Sequence, residues 1–224
     1  IVDGHDSWIG SANFDWRSLE HIQELGIRVR SQAVARAWTD VFELDWHLAN
    51  GGSRDDAPKP TAEAADYPVA IDFGGSEVKV TPVASPTELL PDEGLWDLPF
   101  LLDAIDSAEA SVDVQVMTYR AVDYHREYFA KMEAALRGAA ARGVTVRLLV
   151  ADWGKREGTI ESLKSLQHTP GLEVRMVTVP AHSSGFVPYG RVVHAKHMIA
   201  DGRRAWVGTS NWEKGYFDRS RNLG

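Results

Sequence analysis

His194 and Lys196 stand two residues apart, followed by Asp201-Gly202 and then by Gly208-Thr209-Ser210-Asn211. On an extended segment residues i and i+2 share a face, so this imidazole and this ammonium would point the same way. Asp201-Gly202 lies between the apolar stretches Met198-Ile199-Ala200 and Ala205-Trp206-Val207 and predicts a hairpin. The turn would bring the small polar run 208–211 back toward the pair, where backbone can approach a ligand closely. Imidazole serves as nucleophile or proton carrier near neutral pH, and ammonium is a compact positive charge. With a hydroxyl and an amide beside them, these groups suit a phosphate.

The same pattern occurs a second time. Asp3-Gly4, Trp8-Ile9-Gly10-Ser11 and Asn13 align without a gap on Asp201-Gly202, Trp206-Val207-Gly208-Thr209 and Asn211, an offset of 198 residues. The offset still holds where Glu24-Leu25-Gly26 meets Asn222-Leu223-Gly224. Two copies at this spacing indicate two similar domains rather than a solenoid. Applied to His194 and Lys196, it places the first copy's pair upstream of residue 1, so the chain is expected to be a piece that opens inside its first motif.

Other chemistries fit less well. His194, His197 and Asp201 have the residue types of a metal site, but residues three apart on a strand face opposite sides and do not chelate together. Ser183-Ser184 beside His182 suggests a hydrolase triad, yet no G-x-S-x-G elbow is present. The absence of cysteine excludes disulfides, thiolate metal sites and thiol nucleophiles. No apolar run is long enough to span a bilayer. The formal net charge of −8 is unevenly placed. Residues 54–106 hold twelve acidic and three basic side chains, whereas residues 191–224 hold seven basic and three acidic. A confined cationic site on an acidic body favours one phosphodiester over a long duplex footprint.

Elements that alternate strand and helix must position these groups. Glu24–Arg30 reads as a strand, and Ser31 caps a helix running to about Leu48. Residues 50–66 are a linker by composition. Val78-Lys79-Val80 and Val83 suggest a short strand. Leu98, Leu101, Leu102, Ile105 and Ala108 have helical spacing. Val112–Met117, Val144–Val150 and Leu172–Val179 are strands, with helices over 126–142 and Ile160–Gln167 between them. This alternation predicts α/β layering over a mostly parallel sheet. The expected division is a first-domain remnant over 1–49, a linker over 50–66 and a second domain over 67–224. The loop from Pro180 to Gly190 enters the motif from outside and fits a lid or substrate wall. Trp153 and Trp212 are candidates for base stacking or lipid contact, with core packing the plainer role for each.

The double pattern H-x-K-x4-D-G…G-[ST]-x-N resembles the signature of the phospholipase D superfamily. Gly10-Ser-Ala-Asn-Phe-Asp-Trp-Arg-Ser-Leu19, Val187-Pro-Tyr-Gly-Arg-Val-Val-His194 and Gly208-Thr-Ser-Asn-Trp212 resemble one branch, the phospholipase-D-like exonucleases of types three and four and their microbial relatives. Vertebrate members carry cysteines that this chain lacks. The resemblance implies a layered α/β/α fold of two domains related by a pseudo-twofold, the first incomplete here, with one site between them. It implies phosphodiester chemistry with no metal and no cofactor, through a phosphohistidine. His194, Lys196 and Asp201 are the catalytic set it implies, although Asp201 at a hairpin turn fits a structural part. Ser11, Asn13, Thr209 and Asn211 would bind substrate. Glu24 and Asn222 would support the two histidines, Glu24 orienting the upstream one and Asn222 orienting His194. On that pairing the upstream histidine is the nucleophile and His194 the acid for the leaving oxygen. The implied substrate is a single-stranded nucleic-acid end or a phospholipid. A phosphate-binding or scaffold remnant without catalysis is the competing reading.

Overall fold

A computed structural model describes residues 1–123 and 125–224. The first repeat contributes β1 (Asp6–Gly10), a short α1 (Trp16–Glu20), β2 (Gly26–Arg30) and the long α2 (Gln32–Ala49). Strands β3 (Val69–Phe73) and β4 (Ser76–Val80) form a hairpin, followed by the two-residue β5 (Ala84–Ser85) and α3 (Asp97–Asp106). Then come β6 (Ser111–Val116), β7 (Tyr119–Arg120), α4 (Ala130–Ala141), β8 (Thr145–Ala151), α5 (Thr159–Gln167) and β9 (Leu172–Val177). The second repeat closes the chain with β10 (His197–Ala200), β11 (Arg204–Val207), β12 (Trp212–Glu213), α6 (Lys214–Asp218) and β13 (Asn222–Leu223).

The main sheet has the order β11-β10-β6-β8-β9. Strands β6, β8 and β9 are parallel, while β10 runs antiparallel to both β6 and β11. Period-2 alternation sends Val112, Val114, Val116, Val146, Leu148 and Val150 to one face. There they pack on Leu98, Leu101 and Ile105 of α3, Met132 and Leu136 of α4, and Leu163 and Leu166 of α5. The expected α/β layering is present, with these three helices on one face. The opposite face carries Asp113, Gln115, Arg147, Glu173, Arg175 and His197 along an open groove of ≈ 350 Å³.

The first repeat shares its core with the rest of the chain. Ile9, Val29, Val34 and Trp38 form a cluster against which Val69, Ile71 and Val80 of the β3–β4 hairpin pack, together with Leu223 of β13. The 50–66 segment is mostly exposed and irregular, but the Asp40 carboxylate on α2 pins it by accepting from the backbone N–H groups of Thr61 and Ala62.

Candidate active site

The two repeats are the same structure at the level of single hydrogen bonds. Asp3 and Gly4 have φ of 52° and 63°, and Asp201 and Gly202 have 54° and 63°. Both turns place two successive residues in the left-handed region, which is why Asp-Gly occurs at each. Ser11 N–H donates to Leu25 O, and Thr209 N–H donates to Leu223 O, both at 3.0 Å. Leu25 N–H donates to Ser11 Oγ and Leu223 N–H to Thr209 Oγ1, both at 3.1 Å. Ser11 and Thr209 then donate to the residues paired by the repeat, Glu24 and Asn222. Gly10 and Gly208 each lie under a tryptophan ring, so a Cβ at either position would collide with Trp8 or Trp206.

The strand expected to carry His194 and Lys196 begins only at His197. Before it, the chain leaves the main sheet and is held by the first repeat. Gln23 N–H donates to Val192 O, and Gln23 O accepts from both His194 N–H and Ala195 N–H. Val192, Val193 and Ala195 are buried, so the apolar residues of this segment anchor it while His194 faces the first repeat.

Glu24 pairs with His194 itself. His194 Nδ1 lies 3.1 Å from both Glu24 oxygens, and Ser11 Oγ donates to Glu24 Oε2 at 2.5 Å. The expectation that Glu24 serves the upstream histidine is corrected here: the carboxylate of one repeat reaches across to the histidine of the other. Burial opposes charge on Glu24. Hydrogen bonds from His194 and Ser11, with the positive charges of His194 and Lys196, outweigh it and hold the carboxyl below its ordinary range. An ionised carboxylate only accepts, so Nδ1 must carry the proton that bridges them. In the neutral ring that leaves a lone pair on Nε2. Lys196 is buried, and burial pushes its ammonium down to about 8 against the opposing pull of Glu24.

Asn211 is buried and its amide is fixed from two sides: Oδ1 accepts from Thr118 N–H at 3.2 Å and Nδ2 donates to Tyr216 Oη at 3.0 Å. Asn13, its repeat equivalent, is exposed. Asn222 accepts from Thr209 and donates to Tyr216 O and Ser220 O, so its amide is occupied within the second repeat and does not contact His194. Asp201 lies apart from these groups. Its carboxylate accepts from the backbone N–H of Glu109, Ala110 and Ser111, which holds it below its ordinary range and ties the β10–β11 turn to the start of β6. Trp212 is fully buried, whereas Trp153 packs beside Ala151, Val192 and Val193.

Sequence reasoning missed Gln23, Thr118, Tyr216 and Asp97. Asp97, buried at the start of α3, accepts from Ser210 Oγ at 3.3 Å, and burial pushes its carboxyl up to about 8. The repeat could have found Tyr216: it aligns with Ser18, whose Oγ accepts from Asn13 N–H at 3.2 Å.

Known proteins resemble this chain in sequence. Residues 101–224 match the family described as cardiolipin synthase, PLD-like domain. The 5'-3' exonuclease PLD3 of Rattus norvegicus is 35% identical over 234 residues, covering 97% of this chain and 48% of that protein. The virion nicking-joining enzyme of Vaccinia virus (strain Western Reserve) is 33% identical over 232 residues, covering 97% and 54%. Among solved structures, NucT from Helicobacter pylori aligns with a TM-score of 0.48 at 20% identity, covering 56% of this chain and 73% of that one. Nuc from Salmonella typhimurium, a phospholipase D family member, aligns with a TM-score of 0.47 at 21% identity, covering 64% and 78%. The chain belongs to the phospholipase D superfamily, on the branch that includes PLD3 and PLD4. It spans about half the length of the curated relatives it matches.

Proposed function

We propose that this chain carries one half of a phosphodiesterase site for single-stranded nucleic-acid ends, with His194 as the nucleophile. The observation that carries the reading is the Ser11–Glu24–His194 relay with Lys196 buried beside it. Glu24 fixes Nδ1–H, so Nε2 presents its lone pair to phosphorus. The N–P bond forms as the bond to the leaving oxygen breaks, and that oxygen takes a proton from an acid. The histidine of the other motif is the residue suited to supply it. Water then adds to phosphorus and gives its proton to that second histidine, now a base, while the N–P bond breaks and His194 is regenerated. Lys196 meets the developing charge on a non-bridging oxygen, with the Asn211 amide held ready to donate.

The nucleic-acid substrate is supported by relatives that match nearly the whole chain and are named as an exonuclease and a nicking-joining enzyme. No helix among the described residues is long and apolar enough to cross a membrane. The test compares a protein spanning both motifs on a single-stranded oligonucleotide and on phosphatidylcholine vesicles. Release of nucleotides from the oligonucleotide is expected. Cleavage of the lipid alone overturns the substrate class, and cleavage of neither favours a binding or scaffold remnant.

A further inference from the structure

Beside the site lies an open groove of ≈ 770 Å³ between residues 152–156 and the loop 178–191. Its rim is unusual for a folded surface. Phe186 is 90% exposed and Tyr189 74% exposed, on a loop that otherwise anchors itself through buried Val187. Trp16 of the first repeat is exposed as well and reaches the loop through ring contacts with His21 and His182. An exposed aromatic forgoes the burial that normally stabilises it, so a cluster of them at one edge marks a contact surface.

The loop is also shaped at a cost. Tyr189 and Arg191 both have positive φ, 56° and 59°, a region non-glycine residues seldom occupy. They are held there by Arg191 N–H donating to His21 O at 2.8 Å and Arg191 Nε donating to Pro180 O at 2.6 Å. This constraint fixes where Tyr189 stands, with the Arg17 guanidinium 6.0 Å from the ring centroid. Ring contacts continue from Trp16 to His21 at 5.2 Å and from His21 to His182 at 4.7 Å, joining the first repeat to the loop. The charged side chains lining the groove are two arginines, Arg156 and Arg191, against one aspartate, Asp152. Arg191 stands three residues before His194, about 10 Å along an extended chain. The backbone between them is clipped to the same 21–23 segment that leads to Glu24.

We infer that this groove is a stacking track for unpaired bases, with Phe186 and Tyr189 as its platforms and Arg156 and Arg191 facing the phosphates. Exposed ring faces receive bases only when those are unpaired, and stacking tolerates any base, so the track selects strandedness rather than sequence. The track rests on the nucleic-acid substrate proposed for the site and is the part of the chain that would impose it.

The test uses this chain with a fluorescent twelve-residue oligothymidylate at low salt, read by anisotropy. Stacking contributes roughly 1–3 kcal/mol per base, so Phe186→Ala and Tyr189→Ala are each expected to weaken binding about 5- to 150-fold. Tyr189→Phe should bind normally. Arg156→Gln should weaken binding and flatten its salt dependence. Trp46→Ala, exposed on α2 and away from the groove, is the control, and thermal melting confirms that each variant folds. Unchanged affinity in both aromatic variants overturns the track while leaving the nucleic-acid reading intact. No binding of the oligonucleotide by the unaltered chain also overturns it. The cleavage assay with both motifs then judges the broader reading separately. Loss of binding to anionic phosphatidylglycerol vesicles, rather than to the oligonucleotide, would make the patch a lipid contact and overturn the track.

Discussion

Replacing Glu24 with glutamine perturbs the relay while preserving its shape. The carboxylate lies 3.1 Å from His194 Nδ1 through both oxygens, and its side chain is only 11% exposed, so water does little to screen it. A hydrogen bond to a charged group contributes about 1.5–3 kcal/mol against about 0.5–1.5 for a neutral one. Glutamine can also turn its N–H toward the ring, which favours a proton on Nε2 instead and blocks the attacking lone pair. A loss of about 1.4–2.8 kcal/mol in the barrier corresponds to roughly 10- to 100-fold in rate. The assay is the first-turnover release of p-nitrophenol from bis-p-nitrophenyl phosphate, whose good leaving group needs little protonation. Ring ¹⁵N shifts of His194 at high pH provide the second readout, with Nδ1–H expected in the unaltered chain and a mixed tautomer in Glu24→Gln. An unchanged first-turnover rate together with an unchanged tautomer would refute the relay.

Three further predictions concern individual charged side chains. Lys196 loses its proton at about 8 when folded, against an ordinary 10.5, so the unfolded chain holds more protons between these values and stability should rise with pH there. Up to about 3 kcal/mol is involved; Lys196→Met should therefore be more stable than the unaltered chain at neutral pH and flat across that window in urea unfolding, while losing phosphate binding. Asp97 shifts the other way, from 3.8 to about 8, so the folded chain holds the extra proton and stability should fall as pH rises through this range. Asp97→Asn should remove that slope, a difference of about 4 kcal/mol at most, measured by urea unfolding at pH 5 and pH 8. Asp201 is held below its ordinary range by three backbone N–H groups, so it stabilises the fold above that range and loses the contribution as pH falls. Asp201→Ala should lower Tm, most at neutral pH, and leave first-turnover chemistry at His194 nearly intact.

The motif and the repeat were legible because turn chemistry and glycine packing are local. Asp-Gly occurs twice because each turn needs two left-handed residues, and Gly10 and Gly208 because a tryptophan ring covers each. The helices α2, α3 and α5 followed from apolar spacing and, for α2, the Ser31 cap. Helix α4 starts at Ala130 rather than 126, since Arg126 has φ 63° and Phe129 N–H is taken by Ala121 O. Strand β3 was concealed by its neighbourhood: Val69 and Ile71 alternate, but they come after Pro68 and a polar, acidic run that reads as linker. The pairing of Glu24 with His194 was not legible at all. It depends on Gln23 accepting from His194 N–H and Ala195 N–H, a contact between residues more than 170 positions apart, and an internal repeat cannot tell pairing within a half from pairing across halves.

The central claim is that His194 is the nucleophile, and covalent trapping tests it most directly. The chain is incubated with bis-p-nitrophenyl phosphate, quenched under alkaline conditions that preserve phosphoramidates, digested and mapped by mass spectrometry. One p-nitrophenylphosphoryl adduct is expected on the peptide carrying His194, absent from His194→Ala and formed more slowly by Glu24→Gln. An adduct on another residue, or none on His194 while p-nitrophenol is released in a burst, would contradict the claim.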